Sequence, residues 1–257
     1  MKNSLIIARR DLGSFFSSPV FYILTAIFLI LHGYIFFNIL NFFSYQSFQS
    51  AQMGGQMGGF NLNLNETVIE PSLHNMGVIL LLMIPVITMR SFAEERKSKS
   101  FPLLLSSPIH LQEIILGKFL ACLTVVGVMI SLTSYCIAFL YMVGQPESGP
   151  IIIGYIGILL MSGCYVAIGI FASSLTDNQI VSASIAFGFT LFMWVIGWGA
   201  QAAGSHLGDL LNYLSLVDHL EKFFKGIVDT RDVTYYLSFT VFLLFLTHRI
   251  LDSRRWK

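Results

Sequence analysis

The sequence predicts an all-α integral membrane protein. It should have six transmembrane helices, an N-terminal interfacial helix, a cytoplasmic helix between spans two and three, and an outer amphipathic helix before span six. Three observations carry that expectation. The chain is 55% hydrophobic and only 11% charged, with a mean hydropathy of +0.72, whereas soluble domains carry about 25% charged residues. Six apolar runs are each long enough to cross about 30 Å of hydrocarbon at 1.5 Å per residue. Finally, if all six cross and the N-terminus is cytoplasmic, every one of the fifteen basic residues except Lys222, Lys225 and Arg231 falls on the inner side. That asymmetry is the usual orienting signal of membrane proteins.

Residues 1–18 come first. Leu5, Ile6, Leu12, Phe15 and Phe16 form a broad apolar face against Lys2, Arg9 and Arg10, the pattern of a helix lying on a membrane surface. Basic residues would hold it to anionic headgroups at about 1 kcal/mol each. Arg9, Arg10 and Asp11 stand where a cleavable signal peptide has its apolar core, so no such signal is expected.

Span one is read as Pro19–Phe43, with Ser17 and Ser18 as caps and proline in the first turn. His32 is its only mid-membrane titratable group, expected to be neutral and bonded to a neighbouring helix. Ser44–Pro71 reads as a flexible outer loop rich in glycine and asparagine. Span two, Ser72–Met89, is short and contains Pro85; the basic residues that follow it require it to cross. Span three, Glu113–Val143, is long for one crossing and should tilt, kink near Gly127 or project beyond the bilayer. Ile151–Leu175, Ile180–Ala200 and Val233–Leu251 complete the set.

Before the last span, Leu207, Leu210, Leu211, Leu214, Val217, Leu220 and Phe224 recur at three- and four-residue steps. One amphipathic helix over 205–228 is expected there, sealing the outer end of the bundle or acting as a gate over a path. Asp218, His219, Glu221 and Lys225 are its gate candidates.

The spans offer little chemistry. There is no HExxH, no pair of intramembrane acids, no Ser/His/Asp set and no GxxxxGK[ST] phosphate loop. A membrane protease, an ion-coupled pump or a redox carrier would each need such groups. Cys122, Cys136 and Cys164 lie in apolar runs without CxxC or Cys/His spacing, which points to core packing rather than disulfides or zinc. No catalytic, cofactor or metal residue is therefore assigned.

The densest polar segment is Met89–Leu120. Arg90 ends a span and can snorkel to headgroups. Phe92, Glu94, Glu95 and Arg96 continue as a charged helical turn, Leu103, Leu104 and Leu105 add an apolar ridge, and Pro108 closes the element. Ile114, Ile115, Leu116 and Phe119 then face away from Gln112 and Lys118. A short cytoplasmic element over 93–110, tied to two spans, suits insertion into a groove on another protein.

The pattern P-x-x-x-M-R-x-F-A-E-E-R, then an apolar run, S-P and L-G-K-F-L-A stands here as Pro85, Met89-Arg90, Phe92-Ala93-Glu94-Glu95-Arg96, Ser107-Pro108 and Leu116-Gly117-Lys118-Phe119-Leu120-Ala121. It resembles the membrane subunits of ABC-2 exporters, and the six-span layout extends that resemblance over 1–257 as one transmembrane domain. The closing portion, with Leu214-Ser215, His219, Phe223, Lys225-Gly226, Asp229, Asp232, Tyr235-Tyr236-Leu237-Ser238 and Arg254-Arg255-Trp256-Lys257, looks most like the gliding-motility-associated branch. Copper- and nitrous-oxide-system permeases are close relatives. One departure is Lys99-Ser100-Phe101-Pro102, where relatives commonly have Gly-Thr-x-Glu. Proline there disfavours helix at Phe101 and removes a carboxylate from the contact.

The resemblance implies a homodimer, or a heterodimer with a paralogous permease, in the bacterial inner membrane with both termini cytoplasmic. It implies two cytoplasmic ABC ATPase subunits that hold the ATP and magnesium, so this chain would bind no cofactor and would not itself be an enzyme. Membrane lipid is the other expected partner, and nucleic acid is not expected. Phe92, Glu94, Glu95, Arg96, Leu103, Leu104, Leu105 and Pro108 would then be the ATPase contact. An alternative gives the same contact to a membrane anchor or assembly component, moved mechanically by an ATPase without passing a substrate.

Overall fold

The computed structural model describes residues 2–53, 63–97, 110–200 and 205–253. Leu103, Leu104, Leu105, Pro108 and Pro102 lie outside the described residues. No strand occurs among those described. The helices are α1 (Lys2–Ser17), α2 (Pro19–Met53), α3 (Glu70–Thr88), α4 (Arg90–Lys97), α5 (Leu111–Leu132), α6 (Ser134–Val143), α7 (Ser148–Leu175), α8 (Gln179–Ala200), α9 (Ser205–Leu214), α10 (Asp218–Phe224) and α11 (Thr230–Ser253). A π-helical turn, Asn65–Ile69, leads into α3. Six stretches are long and apolar enough to cross a membrane: Pro19–Ser50, Asn65–Lys97, Leu111–Val143, Ser148–Leu175, Gln179–Gly199 and Thr230–Ser253. The chain is a multi-pass membrane protein.

Helix α7 is the axis of the bundle. Every residue from Met161 to Ile170 is buried, so it lacks the one-sided pattern of a peripheral helix. It packs against α3, α5, α8, α10 and α11. The outward helices are α2, α8 and α11, which leave Tyr34, Phe192, Trp198 and Phe242 exposed. Such faces suit a bilayer, where lipid solvates apolar side chains as well as a protein core does.

Several segments depart from the sequence reading. α2 runs ten residues past the expected end at Phe43, to Met53, so the expected outer loop begins as helix. At its far end Asn65 is buried, and its Oδ1 accepts the Glu147 N–H at 3.2 Å. The third span breaks at Thr133, not near Gly127. Thr133 Oγ1 donates to the Ile130 carbonyl at 2.6 Å and also meets the Tyr155 hydroxyl at 2.7 Å. A hydroxyl that bonds its own preceding turn competes with the helical ladder, and a partner on α7 fixes the break. Gly127 has only an ordinary contact with Leu159.

His32 is buried and stacks near-parallel to Phe28 one turn back, with ring centroids 6.2 Å apart. Its Nδ1 has no hydrogen-bond partner among the described residues, contrary to the expected bond to a neighbouring helix. The three cysteines are buried and unpaired with one another.

The outer helix is also two elements, not one. α9 and α10 are separated at Ser215–Val217, where Ser215 and Leu216 are fully buried. The Ser215 hydroxyl accepts the Asp218 N–H at 3.3 Å, capping the start of α10. α10 turns Leu220, Phe223 and Phe224 into the bundle against α7. A periodic run of apolar residues therefore serves two helices, each burying its own face.

Candidate functional site

Two charged clusters stand at opposite ends of the bundle. The larger is built around α4. The second candidate span does not stop at Met89 but bends there, and α4 leaves at once. A bend strips the first amides of the new helix of intrahelical acceptors. Ser173 on α7 supplies the missing partner: its hydroxyl accepts the N–H groups of Phe92 and Ala93 at 3.0 and 3.1 Å, and donates to the Met89 carbonyl at 3.1 Å. One residue of the central helix thus caps α4 from outside. Just below, Thr88 seats against Gly169 so closely that a Cβ at Gly169 would overlap it.

The side chains of α4 divide by burial. Phe92 is fully buried. Glu95 receives Lys118 Nζ at 2.7 Å, and Asp11 Oδ2 lies 3.5 Å from the same nitrogen. Arg10 spans Asp11 at 2.8 Å and Glu95 at 3.5 Å. Burial works against the Arg10 charge, but hydrogen bonding and attraction from Asp11, with Glu95 behind it, outweigh that and raise its pKa. Lys118 also stands 5.1 Å from the Phe92 ring centroid, on its face, a favourable place for a desolvated ammonium. Arg96 reaches Asp177 beyond α7 at 3.3 Å. Glu94, by contrast, is exposed and makes no hydrogen bond or ion pair among the described residues.

Lys118 is the residue the sequence reading misplaced. The spacing puts it on the polar side of the start of α5; its side chain is only 4% exposed. A lysine held that far from water needs counter-charge, and it draws one carboxylate from α1 and one from α4. The signal was present in the sequence: a lone cation seven residues into an otherwise apolar helix.

α1 lies along α5 and inverts part of its expected face. Ser4, Ile7 and Ala8 are buried, whereas Leu5 and Ile6 are 64% and 66% exposed. The contact is tight because Gly117 has no side chain. A Cβ there would come within 2.8 Å of both Ile7 and the Ser4 carbonyl. The amide of Asn3 donates to Glu113 at 2.9 Å and fastens the same pair.

Between α1, α2, α4 and α5 is a cavity of about 600 Å³. Arg10, Asp11, Arg90, Glu94, Glu95 and Lys118 line its polar end. Phe21, Leu24, Val125 and Met129 line the apolar one.

The opposite cluster joins α9, α10 and α11. Of the four gate candidates, His219 is central: its Nδ1 lies 2.6 Å from Asp232 Oδ1, and its Nε2 lies 3.0 Å from the Tyr213 carbonyl. Its ring stacks on Tyr235 at 4.1 Å. Lys222 reaches Asp229 at 2.9 Å and Asp232 at 3.3 Å. Those hydrogen bonds raise the Lys222 pKa. Asp229 is held below the usual carboxylate range by the Arg231 backbone N–H first and by Lys222 second. Asp218 is a little apart, with Oδ2 buried toward Gly197 of α8. Glu221 and Lys225 are exposed and join neither group. The buried partner, Asp232, was legible only as a charge at the entry to the last span.

Neither cluster is a set of reacting groups. Carboxylates face cations, and among the described residues no three His, Cys, Asp or Glu side chains converge as metal ligands would. What the larger cluster can do is mechanical. It binds a surface helix, a bent extension and two spans into one unit.

A family model described as ABC-2 family transporter protein matches residues 5–250. The chain belongs to that family, and is a transporter membrane protein. A search of curated proteins found no match to it.

Proposed function

We propose that the chain is the permease subunit of an ATP-driven ABC exporter, worked by a separate cytoplasmic ATPase that carries the ATP and magnesium. The observation that supports this most is the fastening of α4. Lys118, Arg10, Asp11 and Ser173 tie it to α1, α5 and α7, so a push on α4 or α1 moves spans rather than a loop. On this reading the α1–α4 end faces the cytoplasm of a bacterial inner membrane, in keeping with its basic excess. Glu94, exposed and unpaired among the described residues, serves as an ATPase contact, as do Leu103, Leu104, Leu105 and Pro108. Two permease chains, identical or paralogous, frame the path. The resemblance of the closing residues supports a reading of the chain within the gliding-motility-associated branch of the family.

The contact is tested by one substitution. Reversing Glu95 would set an added cation against Lys118 and disturb the fold. Glu94→Lys touches no internal pair. It should lower ATPase co-purification and stimulated hydrolysis at least several-fold while the variant still inserts and elutes as a single species. Unchanged binding and hydrolysis would remove Glu94 from the contact.

A further inference from the structure

The cavity between α1, α2, α4 and α5 has a use beyond the coupling role, although it shares Glu94 with the proposed ATPase contact. Four of its six charges neutralise one another: Lys118 and Arg10 are taken up by Glu95 and Asp11. The remaining two, Arg90 and Glu94, have no hydrogen bond or ion pair among the described residues, although they stand one turn apart on α4. At that spacing an arginine and a glutamate commonly pair. Here both line the cavity.

Their order is informative. Arg90 adjoins the end of α3, and Glu94 is about 6 Å further along α4. Moving the other way, the cavity becomes apolar along α2 and α5 through Leu24 and Val125 to Met129. From Lys118 to Met129 on α5 is about 16 Å of rise, deeper than a free small anion requires. A cation next to hydrocarbon, an anion beyond it and no net charge among the lining residues together describe the complement of one class of amphiphile.

We propose that this cavity binds one phospholipid with a zwitterionic primary-amine headgroup, taken from the leaflet on the basic side. The phosphate meets Arg90, the ammonium donates to Glu94, and an acyl chain lies against Leu24, Val125 and Met129. A lipid of this kind carries its phosphate nearest the chains and its amine outermost, matching the order of Arg90 and Glu94. A phosphatidylglycerol headgroup would bring Glu94 neutral hydroxyls in place of a countercharge. A quaternary amine would offer Glu94 no N–H, and charge-assisted hydrogen bonds are about twice as strong as neutral ones. The lipid would complete the wall between α1 and α4, so the leaflet's composition would bear on the element proposed for coupling. Only the identity of the leaflet rests on the orientation proposed above.

Native mass spectrometry of the full chain, delipidated and then offered phosphatidylethanolamine, phosphatidylcholine and phosphatidylglycerol with the same acyl chains, tests this without any ATPase present. Its failure is therefore separable from failure of the transport reading. One phosphatidylethanolamine per chain should be retained, preferred about tenfold, the equivalent of one charge-assisted hydrogen bond. Arg90→Gln should reduce retention of both zwitterionic lipids. Glu94→Gln, which keeps an acceptor but loses the charge, should narrow the preference between them, and Ser14→Trp, on the exposed lip, should exclude all three. Equal retention of the three, a preference for phosphatidylglycerol, or indifference to Arg90→Gln and Glu94→Gln would overturn the proposal. A photoreactive ethanolamine lipid gives a check on the unaltered chain: it should label α2 near Leu24 and α5 near Val125. Labelling confined to other helices would overturn it equally.

Discussion

The two ends of the bundle solve one problem in different ways. At each, short helices must be held against long ones, and each uses buried charge. The α1–α4 end draws its charges from distant parts of the chain, Asp11 and Lys118 being 107 residues apart. The α9–α11 end draws them from neighbours, His219 and Asp232 being 13 residues apart and Lys222 and Asp229 being 7 apart. It adds aromatic stacking on Tyr235. Long-range pairs bind separate spans to each other, whereas short-range pairs fold one connection onto the bundle. The first arrangement ties one helix to another; the second packs a connection against the bundle.

The difference should show most clearly in substitutions. Lys118→Met removes the cation shared by Glu95 and Asp11 while keeping most of the side-chain volume. Removing one partner from a buried pair typically costs about 3–5 kcal/mol. The expected result is a large fall in thermal stability in detergent together with detachment of α1, read as faster amide exchange over residues 2–17. A Lys118→Met chain that melts like the parent would refute the shared role of this cation.

At the other end Asp232→Asn should cost less, about 1.5–3 kcal/mol, the worth of a hydrogen bond to a charged group. Its exchange changes should be confined to α9 and α10. If they reach α1 or α4, the contrast between a local seal and a spanning knot is wrong.

Ser173→Ala is smaller again. It removes an acceptor shared by the amides of Phe92 and Ala93, a loss of about 1–3 kcal/mol at a buried site, and should loosen α4 with little effect on α11. The smallest expected effect is one of pH. Because the Asp229 pKa is lowered in the folded chain, its contribution is complete at neutral pH. It is lost as pH falls from the ordinary carboxylate value near 4 through the lowered one. Amide protection in α10 should decline over that range, and Asp229→Asn should flatten the decline.

Much of this architecture was legible in the sequence, and what was hidden has a common cause. Six apolar runs identify six crossings because a bilayer enforces a minimum length of apolar helix. The charged continuation after Met89 was readable as helix from Phe92 to Lys97. What periodicity could not show was where polar side chains find distant partners. Thr133 breaks a span because Tyr155 stands opposite it, and Lys118 is buried because Asp11 and Glu95 reach it. α9 and α10 separate because Ser215 can cap a new start. Each depends on a contact between elements, which one-dimensional spacing does not carry. In α1 the exposed Leu5 and Ile6 show the same limit, since an apolar residue at a membrane surface can face lipid as readily as protein.

The central claim is that the α1–α4 end receives a cytoplasmic ATPase, and its most direct test is mild-detergent purification of the tagged chain from native membranes with mass spectrometry of what accompanies it. A soluble ATPase at stoichiometric yield is the predicted result. A clean preparation lacking any ATPase, reproduced after crosslinking in the membrane, would contradict it.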